Sequence, residues 1–231
     1  MALLEVQKLG KSYDGSEVLR DAGLAMDRGG ILGLVGPTGS GKIPLLRLIN
    51  LLERPTAGSI TFGGINITEG SEKEMVAIRR SLAMAFQNPI MFSSSIFSNV
   101  SYSIRIRGIK DKGAVEVVLE EVGLGSYAPR EATTLPGWEA QRVALARTVT
   151  TKHELLLLDE PTANLDPKTA EIIGDLIIRQ AEDGTAVILA NHNIGQCLRL
   201  SDRVGGTGER QGIGLRNGRG GTVTMEGIQP R

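Results

Sequence analysis

The chain has 231 residues, with 26 basic and 26 acidic side chains and a formal net charge of zero at pH 7. Its length and its 41% hydrophobic content are enough to bury the core of one α/β domain, with room for a smaller lobe. The balanced charge and the lack of a long basic run argue against nucleic acid as a partner.

The single cysteine, Cys197, excludes an internal disulfide and suits a reducing compartment. The first six residues lack the basic region and the long apolar stretch of a signal peptide. No run approaches the roughly 20 apolar residues of a membrane-spanning helix. The sequence therefore predicts a cytosolic protein, and if it serves a membrane, another chain must cross that membrane.

The first third of the chain predicts strands followed by a glycine loop and a helix. Leu3 to Leu9 and Glu17 to Met26 predict a strand-rich edge. Ile31 to Gly36 is a short apolar run ending in glycine, which is typical of a buried parallel strand. Beyond the loop, apolar residues recur at helical spacing, at Leu45, Leu46, Leu48, Ile49 and Leu52.

The loop itself reads Gly36-Pro37-Thr38-Gly39-Ser40-Gly41-Lys42-Ile43-Pro44. Up to the lysine it has the pattern of a phosphate-binding loop, in which backbone N–H groups curl around phosphate oxygens and the lysine balances their charge. Such a loop continues with a Ser or Thr hydroxyl for magnesium. Ile43 offers no oxygen and Pro44 offers no N–H, and Pro44 should also push Ile43 out of the helical region. The alternative is an ordinary tight turn.

The middle of the chain predicts a helical lobe. Ala114, Val115, Val117, Val118 and Leu119 alternate with three glutamates in the manner of an amphipathic helix. Upstream, an apolar patch comprises Ile90, Met91, Phe92, Ile96 and Phe97, and it is either a docking surface or part of the core of the lobe.

A second nucleotide signal is Leu155-Leu156-Leu157-Leu158-Asp159-Glu160-Pro161-Thr162, where four leucines predict a buried strand. Its carboxyl end, where parallel α/β sheets bind ligands, carries two adjacent acids. Adjacent strand residues point to opposite faces, so we expect Asp159 to hold a hydrated magnesium ion and Glu160 to act as the base for an attacking water. The alternative is a solvated acidic turn.

With both segments in hand, the chain resembles the ATP-binding subunit of an ABC transporter from about Leu3 to Val204. The resemblance implies an ATP hydrolase that uses ATP and Mg²⁺ and forms a dimer, with a homodimer expected. It also implies a transmembrane permease partner, a substrate-binding protein if the transporter is an importer, and a peripheral location on the cytoplasmic face of the cell membrane. The segments Leu51–Gly58 and Ile188–Asn193 look most similar to oxyanion importers of the tungstate or phosphate kind.

The resemblance also assigns roles to single residues. Tyr13 matches the aromatic that stacks on adenine, and its alternative is a strand-edge aromatic. Gln87, in Ala85-Phe86-Gln87-Asn88-Pro89, matches the glutamine that senses magnesium and faces the membrane partner. Asp166, in Asn164-Leu165-Asp166, matches the loop that crosses the dimer interface, and His192 matches the switch histidine that bonds the γ-phosphate.

The family signature, Leu-Ser-Gly-Gly followed by Glu or Gln, opens a helix that faces the ATP of the other subunit. Here the segment reads Leu135-Pro136-Gly137-Trp138-Glu139. Leu135, Gly137, Glu139, Gln141 and Arg142 fit, and the first three of these are predicted to contact nucleotide. Pro136 lacks the serine hydroxyl, and the indole of Trp138 stands where glycine would let phosphate approach the backbone. Asn191 replaces the usual threonine before the switch histidine.

In the family each composite site takes its phosphate loop from one subunit and its signature from the other. This chain departs in both motifs, so a partner with intact motifs would restore neither site. Three functions remain open: a transport ATPase subunit, an impaired copy that binds nucleotide weakly and serves as a non-hydrolysing subunit, or a soluble ABC protein acting on ribosomes or DNA. Proteins of the third kind usually carry two cassettes or a long coiled-coil insertion, and this chain has neither.

The predicted fold class is α/β, with a phosphate-loop core around a mostly parallel sheet, an antiparallel β edge subdomain and an inserted helical lobe. We expect an ATP-binding domain over 1–204, with the core at 1–86 and 153–204 and the lobe at 87–152. Residues 205–231, about a third of them glycine, are predicted to form a poorly ordered tail. The alternative within it is a short strand formed by Val223 with Thr222 and Thr224.

Overall fold

The computed structural model describes residues 2–163 and 165–206, together with the backbone of the strand Leu215–Arg216. Strands and helices follow one another along this part of the chain. The strands are β1 Leu4–Tyr13, β2 Ser16–Met26, β3 Ile31–Val35, β4 Ala57–Phe62, β5 Ile65–Asn66, β6 Leu82–Ala85, β7 Leu155–Asp159, β8 Ala186–Asn191, β9 Arg203–Gly206 and β10 Leu215–Arg216. The α-helices are α1 Lys42–Ile49, α2 Glu72–Arg79, α3 Ile96–Arg105, α4 Lys112–Glu121, α5 Gly137–Val149, α6 Pro167–Glu182 and α7 Ile194–Leu200.

The first sheet is antiparallel, in the strand order β2-β1-β4-β5. Leu4 is opposite Met26 on one side and Phe62 on the other, and all three side chains are buried. The predicted antiparallel β edge is therefore confirmed.

The second sheet has the order β10-β9-β3-β8-β7-β6, and every pairing in it is parallel except that of β10 with β9. Its inner strand β7 is completely buried, as four consecutive leucines require when helices cover both faces. Each fully buried leucine contributes about 1.5–3 kcal/mol of hydrophobic stabilisation. The predicted α/β class with a mostly parallel sheet is confirmed.

Helices α3, α4 and α5 lie between β6 and β7 in sequence and share one buried core with the second sheet. The amphipathic helix predicted around Val115 is α4, which buries Val115 and Leu119. The predicted apolar patch is split. Ile96 is part of the core, whereas Ile90 is 82% exposed and Phe92 is 43% exposed.

Helix α1 differs from its prediction at both ends. It begins at Lys42 and includes Ile43 and Pro44, so the expected displacement of Ile43 from helical geometry is wrong. Pro44 is the third helical residue, where an N–H would have no partner within the helix, and its ring therefore breaks no helical bond. The helix ends at Ile49, and Leu52 lies outside it with half of its surface exposed.

The carboxyl-terminal part of the described chain also departs from the predicted boundary. Strand β9 continues to Gly206, and Leu215–Arg216 pairs with Arg203 and Val204. The alternative short strand around Val223 lies outside the described residues. The division into domains remains a prediction. Among the helices that the structure describes, none combines the length and the apolar character needed to cross a bilayer.

Candidate nucleotide site

Four neighbouring strands end at the same edge of the parallel sheet. Strand β3 pairs with β8, β8 with β7, and β7 with β6, all in parallel. The glycine loop, Gln87 and His192 follow β3, β6 and β8, and the two acids stand at the end of β7, where Asp159 is the last strand residue and Glu160 comes directly after it. The carboxyl edge of such a sheet is where α/β proteins bind ligands. The topology thus brings together residues that are far apart in the sequence.

The glycine loop wraps around the side chain of Lys42. Gly39 and Gly41 have φ angles of 83° and 90°, which favour glycine because a Cβ would be strained there. The ammonium of Lys42 donates to the carbonyl oxygens of Gly36 at 2.6 Å and Pro37 at 2.8 Å. Burial lowers the pKa of Lys42, and the carboxylates of Glu160 and Asp159 oppose that shift. The loop therefore holds a buried cation at the position that a phosphate group would require.

The residue after the lysine points to solvent. Ile43 is 42% exposed. Its side chain has no oxygen for a metal, and Pro44 has no N–H for a phosphate. The departures noted in the sequence therefore lie at the mouth of the loop, not in the core.

Asp159 and Glu160 diverge at the end of β7. Asp159 is the last strand residue and is 5% exposed. Burial, and after it the charge of Glu160, raises the pKa of Asp159 above its ordinary value. Glu160 follows the strand with a φ of 48°, a left-handed conformation that costs a non-glycine residue about 1–3 kcal/mol. Glu160 thus lies outside the strand in a left-handed conformation, so the alternation expected of two adjacent strand residues does not apply to this pair.

Glu160 is the centre of a polar cluster. The side-chain amide of Gln87 donates to Glu160 Oε2 at 2.8 Å, and His192 Nδ1 lies 2.9 Å from Glu160 Oε1. The backbone N–H of Glu160 donates to the carbonyl of Ala190 in β8. The three residues predicted to be catalytic therefore meet at one carboxylate.

Gln141, which fits the family signature in the sequence, is connected by the structure to the same cluster. Its side-chain amide donates to the carbonyl oxygen of Glu160 at 2.6 Å, and it is only 6% exposed. Gln141 belongs to α5, the helix that begins at the signature segment. The fit to the signature marks Gln141 in the sequence but does not reveal its partner, which is a main-chain oxygen 19 residues away.

The signature segment lies at the start of α5. Pro136 precedes the first helical residue, Gly137, and offers no side-chain cap. Trp138 is 43% exposed, and the guanidinium of Arg142 lies 5.0 Å from the centre of its ring. Glu139 is buried, with its carboxylate 3.8 Å from Arg142. The indole is thus held in a cation–π contact at the helix start.

Tyr13 and Asp166 have partners away from the cluster. The hydroxyl of Tyr13 donates to Glu53, and the ammonium of Lys11 lies 4.9 Å from its ring centre. Burial, together with Glu53, raises the pKa of Tyr13 to about 12. Asp166 caps α6 by accepting from the N–H groups of Lys168 and Thr169. Asn164 lies outside the described residues. The roles predicted for Tyr13 and Asp166 towards nucleotide remain predictions.

The donor set at the edge fits ATP with magnesium. Asp159 is a buried carboxylate whose ionisation is disfavoured, and a divalent cation would offset that cost. Magnesium is usually bound by one or two carboxylates, phosphate oxygens and waters. Accordingly, no group of three or more His, Cys, Asp or Glu residues within the described ranges is placed to hold a metal alone. Ile43 reduces the number of protein oxygens available to the ion.

Comparison with known families and proteins agrees with this geometry. The ABC transporter family model matches residues 19–163. A probable anion import ATP-binding protein of Haloferax volcanii is 38% identical and the match covers 88% of this chain and 78% of that protein. A phosphate import ATP-binding protein of Natronomonas pharaonis is 36% identical over 87% of this chain and 75% of its own length. A methionine import ATP-binding protein of Bifidobacterium longum is 35% identical, but this chain spans only 51% of it.

Solved structures of ABC cassettes are also similar to this chain. A dimeric ATP-binding cassette in a post-hydrolysis state with bound ADP and phosphate superposes with a TM-score of 0.81 and 27% identity, covering 88% of this chain and 94% of that one. A cassette from Clostridium perfringens that is part of an ABC transporter complex gives a TM-score of 0.77 and 28% identity, over 89% of this chain and 84% of that one. Members of this family bind and hydrolyse ATP, and this chain belongs to it as an ABC transporter ATP-binding cassette.

Proposed function

We propose that this chain is the ATP-binding subunit of an oxyanion importer, and that it dimerises around ATP and couples ATP binding and hydrolysis to transport. The observation that carries the proposal is the cluster in which Gln87 and His192 both contact Glu160, beside a glycine loop that holds Lys42. Such an arrangement serves phosphoryl transfer, where positioning and charge stabilisation do most of the work.

Each side chain at the edge has a part in this chemistry. Lys42 and the loop N–H groups bind the β- and γ-phosphates, and Asp159, with the amide of Gln87, orients a hydrated magnesium ion. When bound, that ion neutralises charge between the two phosphates. Glu160 accepts the proton of the attacking water, and His192 keeps this carboxylate oriented while facing the γ-phosphate. Tyr13 stacks on adenine, and Leu135, Gly137, Glu139 and Asp166 face the nucleotide of the second subunit.

The transported class is proposed from two relatives, whose names give anion and phosphate import. A methionine import protein also matches, but this chain covers a much smaller share of that relative. The partners we propose are a transmembrane permease, a second copy of this chain and a substrate-binding protein. The subunit would lie on the cytoplasmic face of the membrane, bound to the permease.

Reconstitution tests the transported class. The tagged chain is used to isolate its permease from the source membranes, and the complex is placed in liposomes containing ATP. We expect uptake of phosphate or tungstate that depends on ATP, and no uptake when Glu160→Gln replaces the native subunit. Uptake of methionine with none of either oxyanion would contradict the proposed substrate. Glu121→Gln, a change in a glutamate that pairs with Arg179 on the surface, is the matched control.

A second candidate is a non-hydrolysing subunit that binds nucleotide for its structural effect. It is favoured by two positions, because Ile43 lacks the hydroxyl that a magnesium site would use, and Trp138 presents an indole at the start of α5. The two candidates differ in whether turnover accompanies binding.

A further inference from the structure

A partly buried hydrogen-bond network joins the segment after β7 to the end of β8 and to helix α7. Gln196, in α7, accepts two hydrogen bonds at its side-chain oxygen. One comes from the hydroxyl of Thr162 at 2.7 Å and the other from the side-chain amide of Asn191 at 2.9 Å. Thr162 is 4% exposed and Asn191 is 3% exposed, so neither side chain has water as a ready substitute.

The same network includes the residues on both sides of His192, Asn191 and Asn193. Asn191 Oδ1 accepts from the backbone N–H of Asn193 at 2.9 Å, which closes a short side-chain-to-backbone turn around His192. Asn193 in turn accepts from the backbone N–H of Gln196 at 3.2 Å. His192 itself is largely exposed and contacts Glu160. Its backbone is therefore fixed by its two neighbours, and these are fixed by Gln196.

Asn191 suits this network because its side chain both accepts and donates a hydrogen bond. Its oxygen accepts from Asn193 while its amide donates to Gln196. A threonine hydroxyl can also donate one hydrogen bond and accept another, but one oxygen would have to serve both partners, whereas the asparagine amide meets them with two separate atoms. The replacement noted in the sequence at position 191 thus has a structural counterpart in the glutamine five residues later.

We propose that Gln196 is a positioning residue, which holds His192 against Glu160 and makes the placement of His192 depend on the loop that contains Thr162. This inference rests on the role of His192 in the proposed function. Thr162 lies between the acidic pair and the segment that caps α6 at Asp166. A movement of that loop would therefore be transmitted to the histidine through one side-chain oxygen.

The histidine count of the chain makes a direct test possible. The chain has two histidines, and burial lowers the pKa of the other one, His153, to about 4, so its ring stays neutral near pH 7. In the NMR spectrum, histidine-labelled protein without nucleotide should therefore give one Cε1–H ring signal from each histidine, with that of His153 as an internal reference. His192→Ala assigns the other signal.

We expect Gln196→Leu to shift the His192 ring signal, because the variant removes the acceptor of both hydrogen bonds, and to leave the His153 signal unchanged. Gln196 lines a cavity of about 380 Å³, which leaves room for leucine. Gln196→Glu keeps the acceptor oxygens and should restore the native signal. Thr162→Val, which removes one donor at nearly constant volume, should shift the signal in the same direction as Gln196→Leu.

The matched control is Gln7→Leu, at an exposed position of the antiparallel sheet. An unchanged His192 signal in both Gln196→Leu and Thr162→Val would overturn the proposal, and so would equal shifts in Gln7→Leu. In a preparation that turns over ATP, Gln196→Leu should lower kcat about ten- to hundredfold with little change in KM. Failure of the proposed function would appear separately, as a lack of ATP binding, since the ring signals are measured without nucleotide.

Discussion

Replacing Glu160 by glutamine is expected to lower ATP turnover about 10²–10⁴-fold, because the amide cannot accept a proton from the attacking water. Glutamine is nearly isosteric and can keep contacts with Gln87 and His192, so nucleotide affinity should change little. The φ of 48° at position 160 belongs to the turn, so the backbone adopts it with either glutamate or glutamine there. Turnover is measured as phosphate release with magnesium, and affinity by calorimetry.

The same assay on Glu121→Gln controls for the loss of one surface carboxylate. Glu160→Gln is made both in the native chain and in a chain that carries the family residues at positions 43, 44, 136 and 138. A large decrease can be measured only when the starting turnover is high. Turnover that stays at the parental value in both backgrounds would exclude Glu160 as the general base.

Restoring the family residues at four positions, with Ile43→Ser, Pro44→Thr, Pro136→Ser and Trp138→Gly, is expected to raise turnover about ten- to hundredfold or more. A single hydrogen bond to a charged group is worth about 1.5–3 kcal/mol, which corresponds to that range. Removing the indole adds the relief of a steric obstacle. Ile43 and Trp138 are both partly exposed, so the changes should leave the fold intact.

Two double variants separate the contributions. Ile43→Ser with Pro44→Thr repairs the loop, and Pro136→Ser with Trp138→Gly repairs the signature segment. Because a composite site uses both motifs, we expect either double variant alone to raise ATP turnover by less than the variant with all four changes. Ile65→Ser, at an exposed position in β5, controls for the loss of an exposed isoleucine. If the unaltered chain already turns over ATP as fast as the restored one, the non-hydrolysing candidate is excluded.

The sequence alone predicted the parallel sheet and the motifs that the strand ends bring together in the site. The glycine loop, the run of leucines before Asp159 and the apolar strand before His192 each place a motif at a strand end, and parallel pairing brings these ends together. The family resemblance rests on the same motifs, most of which directly follow buried apolar strands.

The parts that the sequence could not predict depend on tertiary contacts. The helix start at Lys42 followed the surrounding structure, which accommodated Pro44 because no helical bond was lost there. The bond of Gln141 to the Glu160 carbonyl spans 19 residues and that of Gln196 to Thr162 spans 34, and no local pattern reveals either partner. The contact of Tyr13 with Glu53 likewise spans 40 residues.

The most direct test of this account is a calorimetric titration of the unaltered chain with ATP, repeated on Lys42→Ala and on Lys152→Ala, an exposed lysine outside the site. Saturable binding that Lys42→Ala weakens about ten- to hundredfold, and that Lys152→Ala leaves unchanged, is the predicted result. An unaltered chain that shows no saturable ATP binding, or that binds ATP as tightly without Lys42 as with it, would contradict the assignment of the loop as a nucleotide site.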